Sequence, residues 1–302
     1  MTTNSELIKK ICSICATCFI VLVSAPLITL AIPAIQTIPT TQITSLQQPV
    51  EKKNLSVTPA EISIILPIEV INKPEYDIFT YNERKERNLS TLLTTPDPFY
   101  GNKIIYLTFD DGPDEENTPI VLDILNENNI KATFFVVGTS IGKNHEILKR
   151  IYNEGHAIGN HSYNHIYREL YQSVTTYTEQ LHHNDEIIKN VLNLRPHISR
   201  APGGSAGHFT KEYWDTLKNQ GYIEVGWNIS SGDASNATAT QILNNIISQT
   251  EKNTFLWSHA ILLMHDSRGH EETVKALPHI IKFYKEHGFK FHVINSKTPS
   301  AW

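Results

Sequence analysis

Short apolar runs alternate with amphipathic segments along most of the chain after residue 102. The runs are rich in β-branched and aromatic residues, as buried strands are, and the segments between them have helical spacing. Thr118 and Pro119 are typical of a helix start, and Gly155, Gly221 and Gly288 of helix ends. Strand and helix therefore alternate about seven times, which predicts an α/β fold with a parallel sheet covered by helices. The predicted strands are Lys103–Phe109, Ala132–Val137, Ala157–Gly159, His197–Ala201, Tyr222–Ile229, Ile261–Met264 and Phe289–Ile294.

This alternation alone leaves a closed barrel and an open doubly wound sheet as equal alternatives. In both, the carboxyl ends of the parallel strands converge on one face, where active sites lie. Polar residues follow most of the predicted strands, so residues spread over about 155 positions should meet in one pocket. These residues are Asp110, Asp111, His161, His165, Arg200, Asp233 and His265.

The N-terminal part of the chain has a different pattern. After Lys9 and Lys10, no charged residue occurs from Ile11 to Val50, and Ile11–Ile35 is mostly apolar. A helix over that stretch would be roughly 38 Å long, enough for a hydrocarbon core of about 30 Å. The basic flank predicts a cytoplasmic N-terminus and an exported remainder. We predict a membrane anchor in residues 1–35. The alternative is a cleaved signal peptide and a secreted or periplasmic protein, although the apolar regions of such peptides are usually shorter.

Residues 36–102 are rich in Thr, Pro, Gln and Ser and then carry mixed charge. They are predicted to be a spacer between the membrane and the following domain, with one β-like run, Ile62–Leu66, that could dock on it. The predicted catalytic domain covers residues 103–295, and residues 296–302 form a C-terminal tail.

Composition excludes some functions and restricts others. The chain has 26 Lys and Arg against 31 Asp and Glu, a net charge of −5, which argues against a nucleic-acid partner. All three cysteines lie at or before Cys18, and all fourteen histidines lie at or after His145. A metal site in the body of the protein must therefore use His, Asp or Glu.

Two motifs carry candidate chemistry. Asp110 and Asp111 are adjacent at a strand end, where their side chains point in different directions and should have different roles. His161 and His165 are four residues apart, which on a helical turn places both imidazoles on one face, suited to one divalent ion. Taken singly, each motif is also compatible with an ordinary polar turn.

The motifs together resemble the polysaccharide deacetylases of carbohydrate esterase family four (CE4), the NodB homology domain, over residues 103–295. Thr108–Pro113 resembles the first motif of that family, His161–His165 the second, Arg200–Gly203 the third and Leu263–His265 the fifth. The resemblance implies a distorted (β/α)7 barrel. It also implies removal of N- or O-acetyl groups from an envelope or extracellular polysaccharide such as peptidoglycan or a chitin-like glycan.

The resemblance implies a role for each matching residue. Asp111, His161 and His165 would bind a divalent metal, zinc in the first place, with cobalt, manganese and nickel as alternatives. In the catalytic group, Asp110 would be the general base, Arg200 its charge partner, His265 the general acid and Asp233 the residue that tunes it.

Gly203, through its backbone N–H, and Leu263 would contact the substrate and its oxyanion. The chain departs from the family here, because Gly203 and Gly204 stand where an aromatic residue is usual, and the fourth motif retains Asp233 but lacks its usual Trp. We therefore expect a more open substrate groove, or one that uses another Trp. Trp214, Trp227 and Trp257 are the candidates, and all three are expected to be core residues first.

The expected partners are an acetylated glycan and, through the N-terminal segment, a membrane. Two alternative functions remain open: an amidohydrolase acting on a small acetylated amine or a cyclic imide, and a catalytically inactive carbohydrate-binding module tethered to the envelope. The intact acid, base and ligand positions argue against the inactive module.

Overall fold

The computed structural model describes residues 72–301. The predicted anchor, the run Ile62–Leu66 and the rest of the predicted spacer up to residue 71 lie outside the described residues, as does Trp302. Among the residues that are described, no helix combines the length and the apolar character needed to cross a membrane.

Strands and helices are interspersed along the described chain from residue 104 onward. The strands are β1 (Tyr76–Asp77), β2 (Ile104–Asp110), β3 (Thr133–Val136), β4 (Ala157–Asn160), β5 (Arg195–Pro196), β6 (Ile198–Ser199), β7 (Ile223–Glu224), β8 (Ile229–Ser230), β9 (Ala260–His265) and β10 (Lys290–His292). The α-helices are α1 (Tyr81–Glu86), α2 (Asn117–Glu127), α3 (Gly138–Ile141), α4 (His145–Asn153), α5 (Tyr167–Leu170), α6 (Val174–Leu192), α7 (Lys211–Asn219), α8 (Ala239–Lys252) and α9 (Glu271–Glu286).

Seven parallel strands of the described chain form the main sheet, in the order β7-β6-β4-β3-β2-β9-β8. Its two edge strands, β7 and β8, are joined by only residues 225–228. Five residue steps reach at most about 18 Å, whereas the edges of a flat seven-stranded sheet lie about 29 Å apart. The sheet must therefore curl until its edges face each other. The predicted distorted (β/α)7 barrel is confirmed.

The prediction of a single strand at Tyr222–Ile229 is wrong, because that run supplies both edge strands. An apolar run indicates that a segment is buried but not which neighbour it pairs with. The seventh predicted run, Phe289–Ile294, contains β10, which pairs with Ile104–Tyr106 of β2 beside β3 and lies off the main strand order.

The described part of the predicted spacer is packed on the barrel. The side-chain amide of Asn72 donates to the carbonyl of Phe291 and accepts from the N–H of Val293, and β1 pairs antiparallel with β5. Residues 72–102 therefore belong to the folded unit.

The alternation of side chains along β2 separates the outer core from the barrel interior. Ile105, Leu107 and Phe109 join the large apolar cluster that packs against the helices. Ile104 and Tyr106 belong to a second cluster, together with residues of β3, β6 and β9. By the same period of two, Thr108 and Asp110 follow Tyr106 on the inner side, which directs Asp110 into the barrel.

Candidate active site

The strands β2, β4 and β9 bring the predicted site residues to the carboxyl end of the barrel. Asp110 and His265 are register partners on the neighbouring strands β2 and β9, and His161 follows directly after β4. Arg200 follows directly after β6. Side chains that are far apart in sequence thus meet at one end of the barrel, as expected for parallel strands.

Asp111, His161 and His165 form a compact group of possible metal ligands. Asp111 Oδ1 lies 3.1 Å from His165 Nε2 and 3.4 Å from His161 Nε2. One ligand atom from each of the three residues lies within 4.8 Å of the other two. Within residues 72–301, Asp111 Oδ1 is buried and has no hydrogen-bond partner. One carboxylate and two imidazoles around such an oxygen suit a divalent cation such as zinc.

Hydrogen bonding and charge prepare these groups for a cation. His161 Nδ1 donates to the carbonyl of Arg200 at 2.8 Å, which leaves the lone pair of Nε2 directed to the group. Burial favours the neutral carboxyl of Asp111, but the neighbouring imidazoles outweigh it and hold the pKa of Asp111 below its ordinary value. Burial of His161 opposes its charged form, yet Asp110 and Asp111 raise the pKa of that imidazole.

Two residues of this group, and Ser162 between its histidines, have a backbone conformation that is rare for non-glycine residues. Asp111, Ser162 and His165 have φ values of 76°, 71° and 59°. Such conformations persist only where the surrounding structure determines them. Here the Ser162 N–H donates to Asn160 Oδ1, and the His165 N–H donates to Ser162 Oγ. The loop between the two histidines is therefore held by local side chains.

Asn160 belongs to a buried polar network that the sequence analysis missed. Its amide nitrogen donates to Asp185 Oδ1 at 2.7 Å, and its carbonyl oxygen also accepts from the amide of Asn184. Asp185 in turn forms a buried ion pair with Arg195. The sequence contains only a weak signal for this network. It consists of an Asn directly before His161 and an Asn-Asp pair in a helix that was predicted from the spacing of its apolar residues.

Arg200 holds Asp110 inside the barrel. Its Nη1 lies 2.9 Å from Asp110 Oδ1 and also donates to Thr108 Oγ1. Its Nε and Nη2 donate to the carbonyls of Val225 and Gly226, in the segment between β7 and β8. The second oxygen of Asp110, Oδ2, lies 3.7 Å from the Nε2 atom of His161. One carboxylate oxygen is thus tied to Arg200, and the other lies beside the possible ligands.

His265 is bound to Asp233, which begins a short 3₁₀ helix after β8. His265 Nδ1 lies 2.9 Å from Asp233 Oδ1, while Asp233 Oδ2 accepts from the backbone N–H of His265 and from Thr273 Oγ1. Burial disfavours the imidazolium, but the hydrogen bond and charge of Asp233 outweigh it and raise the pKa of His265 to about 9. The imidazole of His265 is therefore protonated at neutral pH.

Comparisons with known proteins agree with this geometry. A sequence profile of the polysaccharide deacetylase family matches residues 100–225. The peptidoglycan-N-acetylglucosamine deacetylase of Bacillus cereus is 30% identical over 244 residues, which cover 78% of this chain and 85% of the relative. The chain belongs to the polysaccharide deacetylase family. The predicted family and enzyme class, a hydrolase that acts on linear amides, are confirmed.

Solved structures of this deacetylase family share the fold. The catalytic domain of a peptidoglycan N-acetylglucosamine deacetylase from Eubacterium rectale has a TM-score of 0.61 and 32% identity, covering 69% of this chain and 95% of that one. A CE4 esterase of Streptococcus mutans has a TM-score of 0.60 and 29% identity, with coverage of 73% and 92%.

In the deacetylase, aromatic rings occupy the space that side chains would take at the two glycines of the third motif, Gly203 and Gly204. A Cβ atom at Gly203 would lie 2.9 Å from the hydroxyl oxygen of Tyr167, and one at Gly204 would lie 2.9 Å from the ring of Trp227. Leu263, the other residue expected to contact substrate, is nearly buried on β9. Trp227 and Trp257 pack against apolar clusters as expected. The same expectation is wrong for Trp214, which is 43% exposed on α7 and contacts the ring of Phe209.

A cavity of about 430 Å³ lies beside Asp111, one of the possible metal ligands of the deacetylase. The segments that follow β2, β3 and β9 line it, with Asp111, Pro113, Thr139, Lys143 and Arg268 among the lining residues. This volume falls within the range of small-molecule sites and is adequate for a sugar residue.

Proposed function

We propose that this chain is a divalent-metal-dependent deacetylase that removes N-acetyl groups from amino sugars of peptidoglycan or a similar envelope glycan. The observation that carries the proposal is the buried, unpartnered Asp111 Oδ1 between two imidazoles, with Asp110 close by but tied to Arg200. The names of the Bacillus and Eubacterium relatives support the substrate.

Asp111, His161 and His165 would hold the metal. The chemistry that such an ion would supply is polarisation of the substrate carbonyl and activation of water near neutral pH. Their one carboxylate and two imidazoles favour zinc, and cobalt, manganese and nickel remain the alternatives.

Asp110 would act as the general base. Arg200 holds its Oδ1, which leaves Oδ2 to accept a proton from the attacking water. The guanidinium and the carboxylate are both buried, and they balance each other's charge inside the barrel. The backbone N–H of Gly203, in the loop after β6, would donate to the tetrahedral oxyanion, and Leu263 would contact the acetyl group.

His265 would act as the general acid. Asp233 holds its Nδ1, so the proton on Nε2 can pass to the amide nitrogen as the C–N bond breaks. The water supplies its hydroxide to the acetyl carbon and its proton to Asp110. The products are acetate and a free amino group on the sugar.

The same residues could also cleave an acetyl ester, and the naming of the Streptococcus structure as an esterase supports that second activity. Acetate release from the full chain should therefore be measured on peptidoglycan, N-acetylated chitin oligomers, acetylated xylan and small acetylated amines. We expect release from an N-acetylated polymer, loss with a chelator and recovery when a divalent ion is restored. Release from the small amines alone would contradict the polymer substrate and favour the small-amine amidohydrolase. No release from any substrate would favour the inactive module.

Two substitutions separate the proposed roles. Asp110→Asn should abolish turnover while metal binding is retained, whereas His161→Ala should lose both. Asp215→Asn, on the exposed face of α7, is the matched control and should change neither. Wild-type activity in Asp110→Asn would contradict the assignment of the base.

We also propose that the catalytic domain is exported and that residues 1–35 retain it at the membrane. Cell fractionation with externally added protease tests both points. We expect the full chain in the membrane fraction, with its catalytic domain accessible to the protease. Deletion of residues 1–35 should remove the protein from that fraction. If the full chain is found in the cytoplasm, or is secreted after cleavage of residues 1–35, the retained anchor is contradicted.

A further inference from the structure

Tyr167 occupies the space that a side chain at position 203 would take. The ideal Cβ position at Gly203 lies 2.9 Å from the hydroxyl oxygen of Tyr167, 3.0 Å from its Cζ and 3.3 Å from a ring carbon. Gly203 has a φ of 72°, a conformation that favours glycine. The ring of Tyr167 thus lies directly against the backbone that would donate to the oxyanion.

The same ring borders the site but is not part of the core. Its centroid lies 5.4 Å from that of the His165 imidazole, with the two planes tilted by 48°. Nevertheless 47% of Tyr167 is exposed, although it has protein contacts with His165 and Gly203. The surface of Tyr167 that these contacts leave open is available to a ligand.

Neighbouring aromatic residues restrict the position of this ring. Tyr167 contacts the ring of Tyr171 in an edge arrangement, and Tyr171 is stacked on His208 at 3.9 Å with the planes only 7° apart. The hydroxyl of Tyr171 donates to the carbonyl of Pro202, directly before Gly203. The ring of Tyr167 and the loop of Gly203 are therefore held together before any ligand binds.

We infer that Tyr167 is a substrate-binding residue whose exposed ring packs against a pyranose ring of the glycan. The C–H groups on the face of a pyranose form an apolar surface, and a rigid aromatic ring can bury it at little cost in side-chain entropy. This inference rests on the proposed function and deepens it, because it names the residue that holds the sugar. The ring carries the interaction, so the hydroxyl group is dispensable.

The test compares two substitutions in the full chain, loaded with zinc and assayed on N-acetylated oligosaccharides. Tyr167→Ala should raise KM about tenfold, equivalent to about 1.4 kcal/mol of binding, with kcat within about threefold of wild type. Tyr167→Phe should leave KM within about twofold. Tyr100→Ala is the matched control, since Tyr100 is a 59% exposed tyrosine that contacts His259, and it should change neither constant.

A double-mutant cycle tests whether the ring and Gly203 share this space. Gly203→Ala should impair the wild-type enzyme, both through its backbone conformation and through the close contact with Tyr167. In the Tyr167→Ala background the contact is absent, so the same change should cost less. Additive effects would show that the ring lies elsewhere and would overturn the inference.

Direct binding separates this inference from the proposed function. Calorimetric titration with chitin oligomers should show weaker binding for Tyr167→Ala than for Tyr167→Phe and wild type. Equal affinity and equal KM in all three proteins, or a fall in kcat alone, would overturn the role of Tyr167. A wild-type protein that binds oligomers through Tyr167 but releases no acetate would refute the deacetylation and retain the binding residue.

Discussion

Replacing Asp233 by Asn tests the link between one carboxylate and the pH range of the enzyme. In the wild type, Asp233 Oδ1 accepts from His265 Nδ1 and Ser231 Oγ, and Oδ2 accepts from the His265 N–H and Thr273 Oγ1. The side chain of Asn has almost the same shape but no charge. The amide oxygen of the asparagine can still accept a hydrogen bond from His265 Nδ1. Its amide nitrogen cannot accept hydrogen bonds from the backbone N–H of His265 and from Thr273 Oγ1.

The size of the effect follows from the pKa of His265. Burial disfavours its imidazolium, and Asp233 overcomes that penalty to raise the pKa from the ordinary 6.5 to about 9. Without Asp233, burial still disfavours the imidazolium and only the charges of Asp110 and Asp111 favour it, so the pKa of His265 should fall towards the ordinary 6.5. At pH 8 the protonated fraction then falls from about 0.9 to about 0.03, a loss of roughly thirtyfold in kcat. The loss should be much smaller near pH 6, because the general acid is still partly protonated there.

The assay is the pH profile of kcat for acetate release between pH 5 and 10. In the wild type the rate should decline only as the pH rises through about 9, and in Asp233→Asn it should decline above about 6.5. Thr273→Ala removes one hydrogen bond to Asp233 but no charge, so its alkaline limb should stay close to that of the wild type. If Asp233→Asn and wild type lose activity at the same alkaline pH, Asp233 does not tune the acid and the argument fails.

Three further changes have expected outcomes. Burial of Asp266 favours its neutral carboxyl and raises its pKa from 3.8 to about 7. The contribution of this carboxyl to the stability of the fold is therefore complete below pH 3.8 and is lost as the pH rises through 7. Denaturant unfolding should show the wild type losing about 2 to 3 kcal/mol from this group between pH 5 and 8, a loss that Asp266→Asn should lack, and parallel curves would contradict this. Asn160→Ala should weaken metal binding by about 10- to 100-fold in competition with a chelator, whereas the exposed Asn126→Ala should not, and equal affinities would remove the positioning role. Arg200→Lys should lower the free energy of unfolding by about 2 to 4 kcal/mol despite the retained charge, because the carbonyls of Val225 and Gly226 lose their donors, and an unchanged melting temperature would show that charge alone matters at this position.

Two simple rules were sufficient to predict from the sequence which residues meet at the candidate site. Apolar runs rich in β-branched and aromatic residues indicate strands, and the carboxyl ends of parallel strands share one face. These rules place Asp110 and His265 on the same end of the barrel, and the structure makes them register partners. The pairing of His265 with Asp233 required the resemblance as well, since 32 positions separate the two residues along the chain.

Other features depend on long-range packing that no local pattern encodes. The run Tyr222–Ile229 is apolar throughout most of its length, but only the curvature of the sheet decides that its two halves form opposite edges. The contact of Asn160 with Asp185 joins a strand end to a helix whose rotation is set by its other contacts. Tyr167, at the start of α5, lies against Gly203 in the loop after β6, so an aromatic ring from another part of the chain borders a motif that has none of its own.

Arg200 shows how the barrel geometry and the proposed chemistry constrain the same side chain. The sheet is interrupted between β7 and β8, where the carbonyls of Val225 and Gly226 accept from Nε and Nη2 of the guanidinium. The remaining Nη1 holds Asp110, and the backbone carbonyl of Arg200 orients His161. A lysine would supply the charge but not donors spread over three nitrogen atoms in one plane. The requirement for arginine at this position therefore comes as much from the open edge of the barrel as from the general base.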